Sequence, residues 1–363
     1  MARVGRAEWD VTAVAPSFLE GDLRPVRVEP LPGELCRLEA IPAYHTNRIH
    51  VFRYGSRLRE ILREPWDVVH CWEEPYIVVG GQIARWTPRR AALVYATFQN
   101  IPKQYPPPFR WIEQYAMRRA AGWIAFGQTI EEALFNRPGY SSRPHRVIPL
   151  GVDTQHFRPD AAAGKQVRQQ LGWSASGPPV VGYLGRFVSE KGLDLLTRAL
   201  DRVPVPWRAL FVGAGEMEPI LREWGGRFGE RVRVVTGVAH DAVPAYLNAM
   251  DVLCAPSQTT LNWREQLGRM LIEAFACGVP VVASDSGEIP YVVKNAGVII
   301  GEKDEGAWIE TLSDLLDNSA FRRELSSKGL ARVQSTYTWP IVAQQHLEFF
   351  DELLDSAALP ASG

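Results

Sequence analysis

Short apolar runs alternate with helix-spaced segments along the whole chain, which predicts an α/β protein with parallel sheets covered on both faces. Two further observations refine this. The length of 363 residues suits two domains, each large enough to bury its own core. The alternation also breaks once, at a polar stretch rich in Pro, Gly and Ser that separates two βα series. The predicted architecture is two Rossmann-like domains facing across a cleft, with ligands expected at the carboxyl ends of their strands.

In the first series WDVTAVAP, DVVHCW at Asp67–Trp72, AALVYATF, GWIAFG and HRVIPLG read as strands. Arg57–Arg63 and Phe109–Ala121 have helical spacing. HFRPDAAAGKQVRQQLGWSASGPP lacks a strand and reads as the interdomain linker. In the second series PVVGYLG is a strand, GLDLLTRAL a helix and WRALFVG a strand. A helix follows around Met217–Trp224, then strands RVRVVTG, DVLCAPS and VPVVAS. A last helical pattern, Ile341–Leu354, comes after Trp339-Pro340. The boundaries expected are a first domain over 1–157, a linker over 158–178, a second domain over 179–337, a helix over 338–357 and a disordered tail over 358–363.

With 46% hydrophobic and 22% charged residues the composition is that of an ordinary globular protein. A net charge of −1 gives no reason to expect nucleic acid as a partner. Cys36, Cys71, Cys254 and Cys277 are widely spaced and form no C-x-x-C pair, which argues against a zinc site or a disulfide framework. A reducing, cytoplasmic compartment is the simplest reading. MARVGRAEWD has no apolar signal core, and no run approaches the length of a membrane span. Lys103, Arg110, Arg118 and Arg119 mix with Tyr105, Phe109, Trp111 and Tyr115. That mixture suits a peripheral contact at the inner membrane face, or aromatics packed on the sheet beneath snorkelling cations.

The most informative stretch is Asp251–Ser286. A strand ends at Pro256-Ser257, a polar loop carries Glu265, and a helix runs from near Gly268 to Cys277, closed by Gly278. Glu273 is a carboxylate on an otherwise apolar helix and needs a partner. Arg269, one turn earlier, is available, and so are paired ligand hydroxyls such as those of a ribose. The helix start at Gly268-Arg269 offers free backbone N–H groups to an anion. Upstream, VGYLGRFVSEKG places Arg186 and Lys191 at the carboxyl end of a strand. They fit phosphate oxygens and a leaving group that gains charge, or they are two solvated cations around Glu190.

The glutamates Glu265 and Glu273 form E-x7-E, followed by EAFACGVPVVASDSGEIP. With GRFVSEKG upstream, this resembles the retaining glycosyltransferases of family 4, the group 1 enzymes of the GT-B fold. IPLGVDTQHFRP, HDAVPAYLNAMDVLCAPS and STYTWPIVAQQHLEFF extend the resemblance over roughly residues 9–355, the last being a helix that crosses back to the first domain. The resemblance implies transfer of a sugar from a nucleoside diphosphate sugar to an acceptor hydroxyl on a glycan, lipid or small molecule, with retained configuration and no metal or other cofactor. It assigns the diphosphate to Arg186 and Lys191, the donor sugar to Glu265, a phosphate to backbone N–H groups at Gly268 and Arg269, the ribose to Glu273, and the base to backbone near Val238. Gly185 falls with the donor residues at the end of the same strand. Same-face attack, with the departing phosphate taking the acceptor proton, is the mechanism it implies.

The chain also departs from the family. Where many relatives carry a His that contacts the donor sugar, it has Phe98-Gln99-Asn100, so Gln99 or Asn100 is left to supply a hydrogen bond. Glu73 and Glu74 sit where acceptor hydroxyls would bind, or at a solvated loop end. Family members begin with a strand, a Gly-rich loop and a helix before the strand that WDVTAVAP resembles. Met1–Arg6 resemble the tail of that helix, so the first domain is expected to lack its central strand and to hold an apolar slot between Trp9–Val14 and Asp67–Cys71. Two alternatives follow: a non-catalytic or impaired sugar-nucleotide-binding protein, and a dinucleotide-dependent oxidoreductase. For the latter FVGAGEMEP offers G-x-G, but Glu218 stands where a third Gly belongs.

Overall fold

The computed structural model describes residues 9–20, 26–28, 36–174 and 177–358. The chain forms two compact units, Met1–Pro149 with Pro340–Gly363, and Leu150–Trp339.

In unit 1 the strands are β1 (Thr12–Pro16), β2 (Phe18–Leu19), β3 (Val26–Arg27), β4 (Arg37–Ile41), β5 (Ala43–Tyr44), β6 (Arg53–Tyr54), β7 (Val68–Cys71), β8 (Ala92–Thr97), β9 (Gly122–Ala125) and β10 (His145–Val147). Its helices are α1 (Arg57–Leu62), α2 (Val78–Trp86), α3 (Phe109–Arg119) and α4 (Gln128–Leu134). A four-stranded parallel sheet has the order β10-β9-β8-β7, β1 pairs with β4 in parallel, and β2-β3 and β5-β6 are short antiparallel pairs. The central strands β8 and β9 are nearly continuous apolar runs and are buried almost throughout, as strands covered on both faces must be.

Unit 2 comprises α5 (Ala161–Gln170), β11 (Val180–Arg186), α6 (Leu193–Arg202), β12 (Arg208–Ala214), α7 (Glu218–Gly226), β13 (Val232–Val235), α8 (Val243–Leu247), β14 (Val252–Ala255), α9 (Arg269–Ala276), β15 (Val281–Ser284), α10 (Ile289–Val293), β16 (Val298–Ile300), α11 (Glu305–Asp317) and α12 (Ser319–Arg332). Its sheet is parallel throughout, with the order β13-β12-β11-β14-β15-β16. The two-residue period of the strands divides the core into two layers. Val180, Leu210, Leu253 and Val281 pack on one face, and Val181, Phe211, Cys254 and Val282 on the other. The strand order reverses between β11 and β14, which makes their carboxyl ends the switch point where such sheets bind ligands.

The last helix, α13 (Trp339–Ala358), joins unit 1, as expected of a helix that crosses back. Gly122 of β9 lets it approach: a Cβ there would lie 2.9 Å from the Phe349 ring and 3.1 Å from Leu353. Arg146 and Glu352 add an ion pair at 2.5 Å.

The stretch read as a linker, 158–178, is structured where it is described. Asp160 caps α5 by accepting from the Ala163 N–H at 2.9 Å. Arg168 then binds Asp251 and the Ala249 carbonyl, and Trp173 donates to the Glu230 carbonyl, so the segment packs as part of unit 2. Its polarity reflects a helix with one thin apolar stripe, not a free tether. The expected tail lies outside the described residues apart from Ala358, which ends α13, and so do Met1–Arg6. Between β1 and β7, which do not pair among the described residues, lies a cavity of about 370 Å³.

Candidate functional site

The site in unit 2 is built from the loops at the ends of β11 and β14. Beyond β11 the chain turns through Ser189–Lys191 into Gly192, which is left-handed at φ 70°. A Cβ at Gly192 would sit 1.8 Å from the Pro256 carbonyl, so only glycine lets this turn lie against the end of β14. That contact brings Lys191 across the switch point. Its Nζ lies 2.5 Å from Glu265 Oε2, and Ser257 Oγ donates to the same oxygen at 3.0 Å. Lys191 also lies over the Trp263 ring at 4.8 Å. The Lys191 and Glu265 side chains are 11% and 9% exposed, so this is a largely desolvated ion pair. An ammonium has three donors, and one pairing leaves others for a second anion.

Gly287 fixes Glu265 from below. It is left-handed at φ 54°, and a Cβ would lie 2.1 Å from the Glu265 carbonyl oxygen. The Glu288 N–H donates to that carbonyl at 3.0 Å. Ser257, Trp263 and Gly287 therefore shape the site, and the sequence reading did not single them out. The turn residues around Gly287, just ahead of Pro290, were the available signal.

Gly268 stands at the N-cap of α9 with φ 68°, which aims the first N–H groups of the helix out of the loop. Every residue of α9 except Arg269 is buried, Glu273 included. Arg269 Nη2 donates to Glu273 Oε1 at 3.2 Å, from a side chain that is 60% exposed. Burial pushes the Glu273 carboxyl above its ordinary range, against the pull of Arg269 and of His156. The pairing with Arg269 is thus present. It uses one carboxylate oxygen and an arginine in solvent.

Arg186 is placed differently from Lys191. It is 47% exposed and faces Glu190 at 3.7 Å, while its carbonyl accepts from the Tyr183 hydroxyl at 2.7 Å. Gly185 precedes it at the end of β11. Val238 is half-buried beyond β13 and packs on the core. The structure thus joins Lys191 to Glu265, places Gly268 at the start of the helix on which Arg269 pairs with Glu273, and leaves the Arg186 guanidinium half-exposed beside Glu190. The glycines of FVGAGEMEP have a local role: Cβ atoms at Gly213 and Gly215 would lie 1.8 Å from the Gly185 carbonyl and 2.4 Å from that of Phe187. They let the loop after β12 close on the loop after β11.

In unit 1, Glu74 is engaged within the fold. It accepts from Thr97 Oγ1 at 2.8 Å and from the Phe98 N–H at 2.7 Å, tying the ends of β7 and β8 together. Burial raises the carboxyls of Glu73 and Glu74 to about 7. Asn100 is 1% exposed, and Gln99 Nε2 donates to the Tyr105 hydroxyl at 2.5 Å. Tyr105 in turn stacks on Tyr76 at 3.9 Å and lies under Arg137. On α3, Arg119 donates to the Thr87 carbonyl, whereas Arg110, Trp111 and Arg118 are exposed. Among the described residues no group of three or more His, Cys, Asp or Glu side chains is placed to hold a metal ion, and no helix is long and apolar enough to cross a membrane.

Comparison with known proteins follows the same division of the chain. The family described as "Glycosyl transferases group 1" matches residues 178–318, and "Glycosyltransferase Family 4" matches residues 2–156. The chain is 30% identical over 242 residues to the GDP-mannose-dependent monoacylated alpha-(1-6)-phosphatidylinositol monomannoside mannosyltransferase of Corynebacterium glutamicum, which covers 65% of this chain and 59% of that protein. It is 36% identical over 193 residues to the GDP-mannose-dependent alpha-(1-6)-phosphatidylinositol monomannoside mannosyltransferase of Mycolicibacterium smegmatis, covering 51% and 49%. It is 27% identical over 346 residues to the D-inositol 3-phosphate glycosyltransferase of Xylanimonas cellulosilytica, covering 88% and 77%. The chain therefore spans about half the length of one of these relatives, 59% of another and 77% of the third. Two solved structures share the fold. The sucrose-phosphate synthase of Thermosynechococcus elongatus has a TM-score of 0.72 at 24% identity, covering 96% of this chain and 90% of that one. The Anabaena protein HepE in complex with UDP has a TM-score of 0.72 at 21% identity, covering 88% and 87%.

Proposed function

The chain belongs to the group 1 glycosyltransferases of family 4, and we propose that it transfers a sugar from a nucleoside diphosphate sugar to an acceptor hydroxyl, without a metal and with retention of configuration. The observation that carries this reading is the Lys191–Glu265–Ser257 cluster at the switch point of unit 2, beside the start of α9. Glu265 holds Lys191 in place while the remaining ammonium donors face a diphosphate. Arg186, exposed at the end of β11, adds a bidentate grip on the same group. Glu273 takes the ribose hydroxyls with its second oxygen, and the backbone near Val238 faces the base.

In the proposed reaction the bond between the anomeric carbon and the diphosphate oxygen breaks, and the electron pair leaves with the diphosphate. The acceptor oxygen bonds to the same face of the anomeric carbon, and its proton passes to the departing phosphate. Charge on the leaving group grows along this path, so Lys191, Arg186 and the N–H groups of α9 stabilise the transition state more than the bound donor. Among the unit 1 candidates Glu73 and Gln99 remain for an acceptor hydroxyl, since Glu74 and Asn100 are held inside the fold.

Two of the relatives are GDP-mannose-dependent by name, and the third acts on an inositol phosphate by name, which makes GDP-mannose and inositol-type polyols the first pair to test. Should the acceptor be a lipid, the exposed Arg110, Trp111 and Arg118 of α3 are the surface proposed to meet the membrane. The test is release of free nucleoside diphosphate from a panel of donors in EDTA, with and without polyol acceptors, for the wild type and Lys191→Ala. Donor turnover lost in the variant supports the reading. Strict dependence on an added divalent metal contradicts it.

A further inference from the structure

The segment 98–108 carries the chain from β8 to α3 without a helix or strand of its own. It contains Gln99, whose side chain is open to an acceptor hydroxyl, and a buried ion pair sets its shape. Arg137, in the turn after α4, donates through Nη2 to both oxygens of Glu113 on α3, at 2.7 and 2.6 Å. The Tyr140 hydroxyl donates to Glu113 Oε1 at 3.1 Å. The Arg137 and Glu113 side chains are only 13% and 7% exposed, so the guanidinium is fixed within the fold. From there its Nη1 donates to the Lys103 carbonyl, and its centre lies 4.9 Å from that of the Tyr105 ring.

Tyr105 is held a second way. Its ring stacks on that of Tyr76 with centroids 3.9 Å apart and 14° between the planes, and His50 packs on Tyr76 at 5.9 Å. A ring gripped by a fixed cation and a stacked neighbour keeps its hydroxyl in one place. That hydroxyl accepts from Gln99 Nε2 at 2.5 Å and shares a hydrogen bond with the hydroxyl of Tyr76.

The consequence for Gln99 is chemical. A carboxamide has a donor at one end and an acceptor at the other, and a half-turn interchanges them. The bond at Nε2 selects one orientation and leaves the carbonyl Oε1 at the other end, an acceptor that can take the proton of a hydroxyl. We propose that Tyr105 is a positioning residue for the acceptor: its hydroxyl, held by the Arg137–Glu113 pair and by Tyr76, orients the Gln99 carboxamide so that Oε1 accepts from an acceptor hydroxyl. The proposal rests on the reading of Gln99 as an acceptor contact.

Two substitutions test it. Tyr105→Phe keeps the ring stack and removes only the hydroxyl. Gln99→Glu supplies a carboxylate whose two oxygens are alike and need no orienting. Transfer is measured with GDP-mannose as donor and myo-inositol as acceptor, in the wild type, in each variant and in the double variant. The side-chain amide signals of Gln99, identified by their loss in Gln99→Glu, are followed by heteronuclear NMR. Tyr105→Phe should lower kcat/KM for the acceptor roughly tenfold when Gln99 is present, the effect of one hydrogen bond. In the Gln99→Glu background it should lower kcat/KM by less than about twofold, which a merely structural role for Tyr105 would not produce. The Gln99 amide signals should move to the position of a free glutamine in Tyr105→Phe. Equal losses in both backgrounds, or amide signals at the free position in the wild type, would overturn the proposal. Normal acceptor kinetics in Gln99→Ala would overturn it through the reading it rests on, and wild-type amide signals still shifted by Tyr105 would mark that failure apart from the other.

Discussion

Glu273→Gln separates the two roles open to that carboxylate, and the structure sets the size of each. Glu273 is 7% exposed and accepts from Arg269, whose side chain is 60% exposed. A pair with one partner in solvent is worth about 0–1 kcal/mol. Its loss is offset by removing a buried charge whose own desolvation is unfavourable. Gln keeps the shape of the side chain, so the free protein should melt within about 1 kcal/mol of wild type. Hydrogen bonds from ribose hydroxyls to an ionised carboxylate contribute about 1.5–3 kcal/mol. On the proposed role the variant should therefore bind nucleoside diphosphate roughly 10- to 150-fold more weakly. Calorimetric titration with GDP and UDP, beside a urea melt of the apo protein, reads both quantities on one sample. Unchanged nucleotide affinity with a lowered melt would refute the ribose role and leave Glu273 as a helix ion pair.

The two cations should behave differently. Lys191→Ala strands the carboxylate of Glu265 and should cost about 3–5 kcal/mol in a urea melt as well as turnover. Arg186→Ala breaks only a loose, half-exposed contact with Glu190, so it should cost about 0–1 kcal/mol while lowering kcat more than it raises KM. Equal stability losses would contradict the geometry. Gly287→Ala drives a Cβ into the Glu265 carbonyl, so donor turnover should fall by more than its stability loss explains, and normal kcat/KM would refute a positioning role for that turn. Burial lifts Glu74 to about 7, above its unfolded value near 4.5, so its favourable contribution is complete below pH 4.5 and lost as pH rises through 7. Glu74→Gln should therefore gain about 1–3 kcal/mol on wild type between pH 5 and pH 8, and a pH-independent difference would sink this. His70, pushed down to about 3 by burial, acts with the opposite sign: its contribution is present above pH 6.5 and lost as pH falls, which separates the two groups at the acid end.

The strands were legible because parallel strands are continuous apolar runs. PVVGYLG, WRALFVG, DVLCAPS and VPVVAS all became strands of one sheet. The helix α2 was not legible, since VVGGQIARW carries two glycines that lower helix propensity. The structure gives their reason. A Cβ at Gly80 would lie 2.2 Å from the Glu74 carbonyl, and one at Gly81 2.7 Å from Ile112. The stretch around Ala161 was misread for a related reason: Lys, Arg and Gln face solvent around one apolar stripe, so the helix looks like a tether in sequence. At the site, charge and spacing exposed Arg186, Lys191, Glu265 and Glu273. They did not expose the Lys191–Glu265 contact, which is made 74 residues apart by a left-handed glycine lying against the end of β14. Glu74 looked available to an acceptor because its partners, Thr97 and the Phe98 N–H, come from the next strand.

The central claim is that unit 2 holds a nucleoside diphosphate sugar through Lys191, Arg186 and Glu273. It is tested most directly by titrating the full chain in EDTA with GDP-mannose, UDP-glucose, ADP-glucose and NAD while following thermal stability. The expected result is stabilisation by at least one sugar nucleotide, reaching about 2.7 kcal/mol at a hundred times its Kd, and lost in Lys191→Ala and in Glu273→Gln measured against their own apo melts. Stabilisation by NAD alone, or a sugar-nucleotide response that survives both substitutions unchanged, would contradict it.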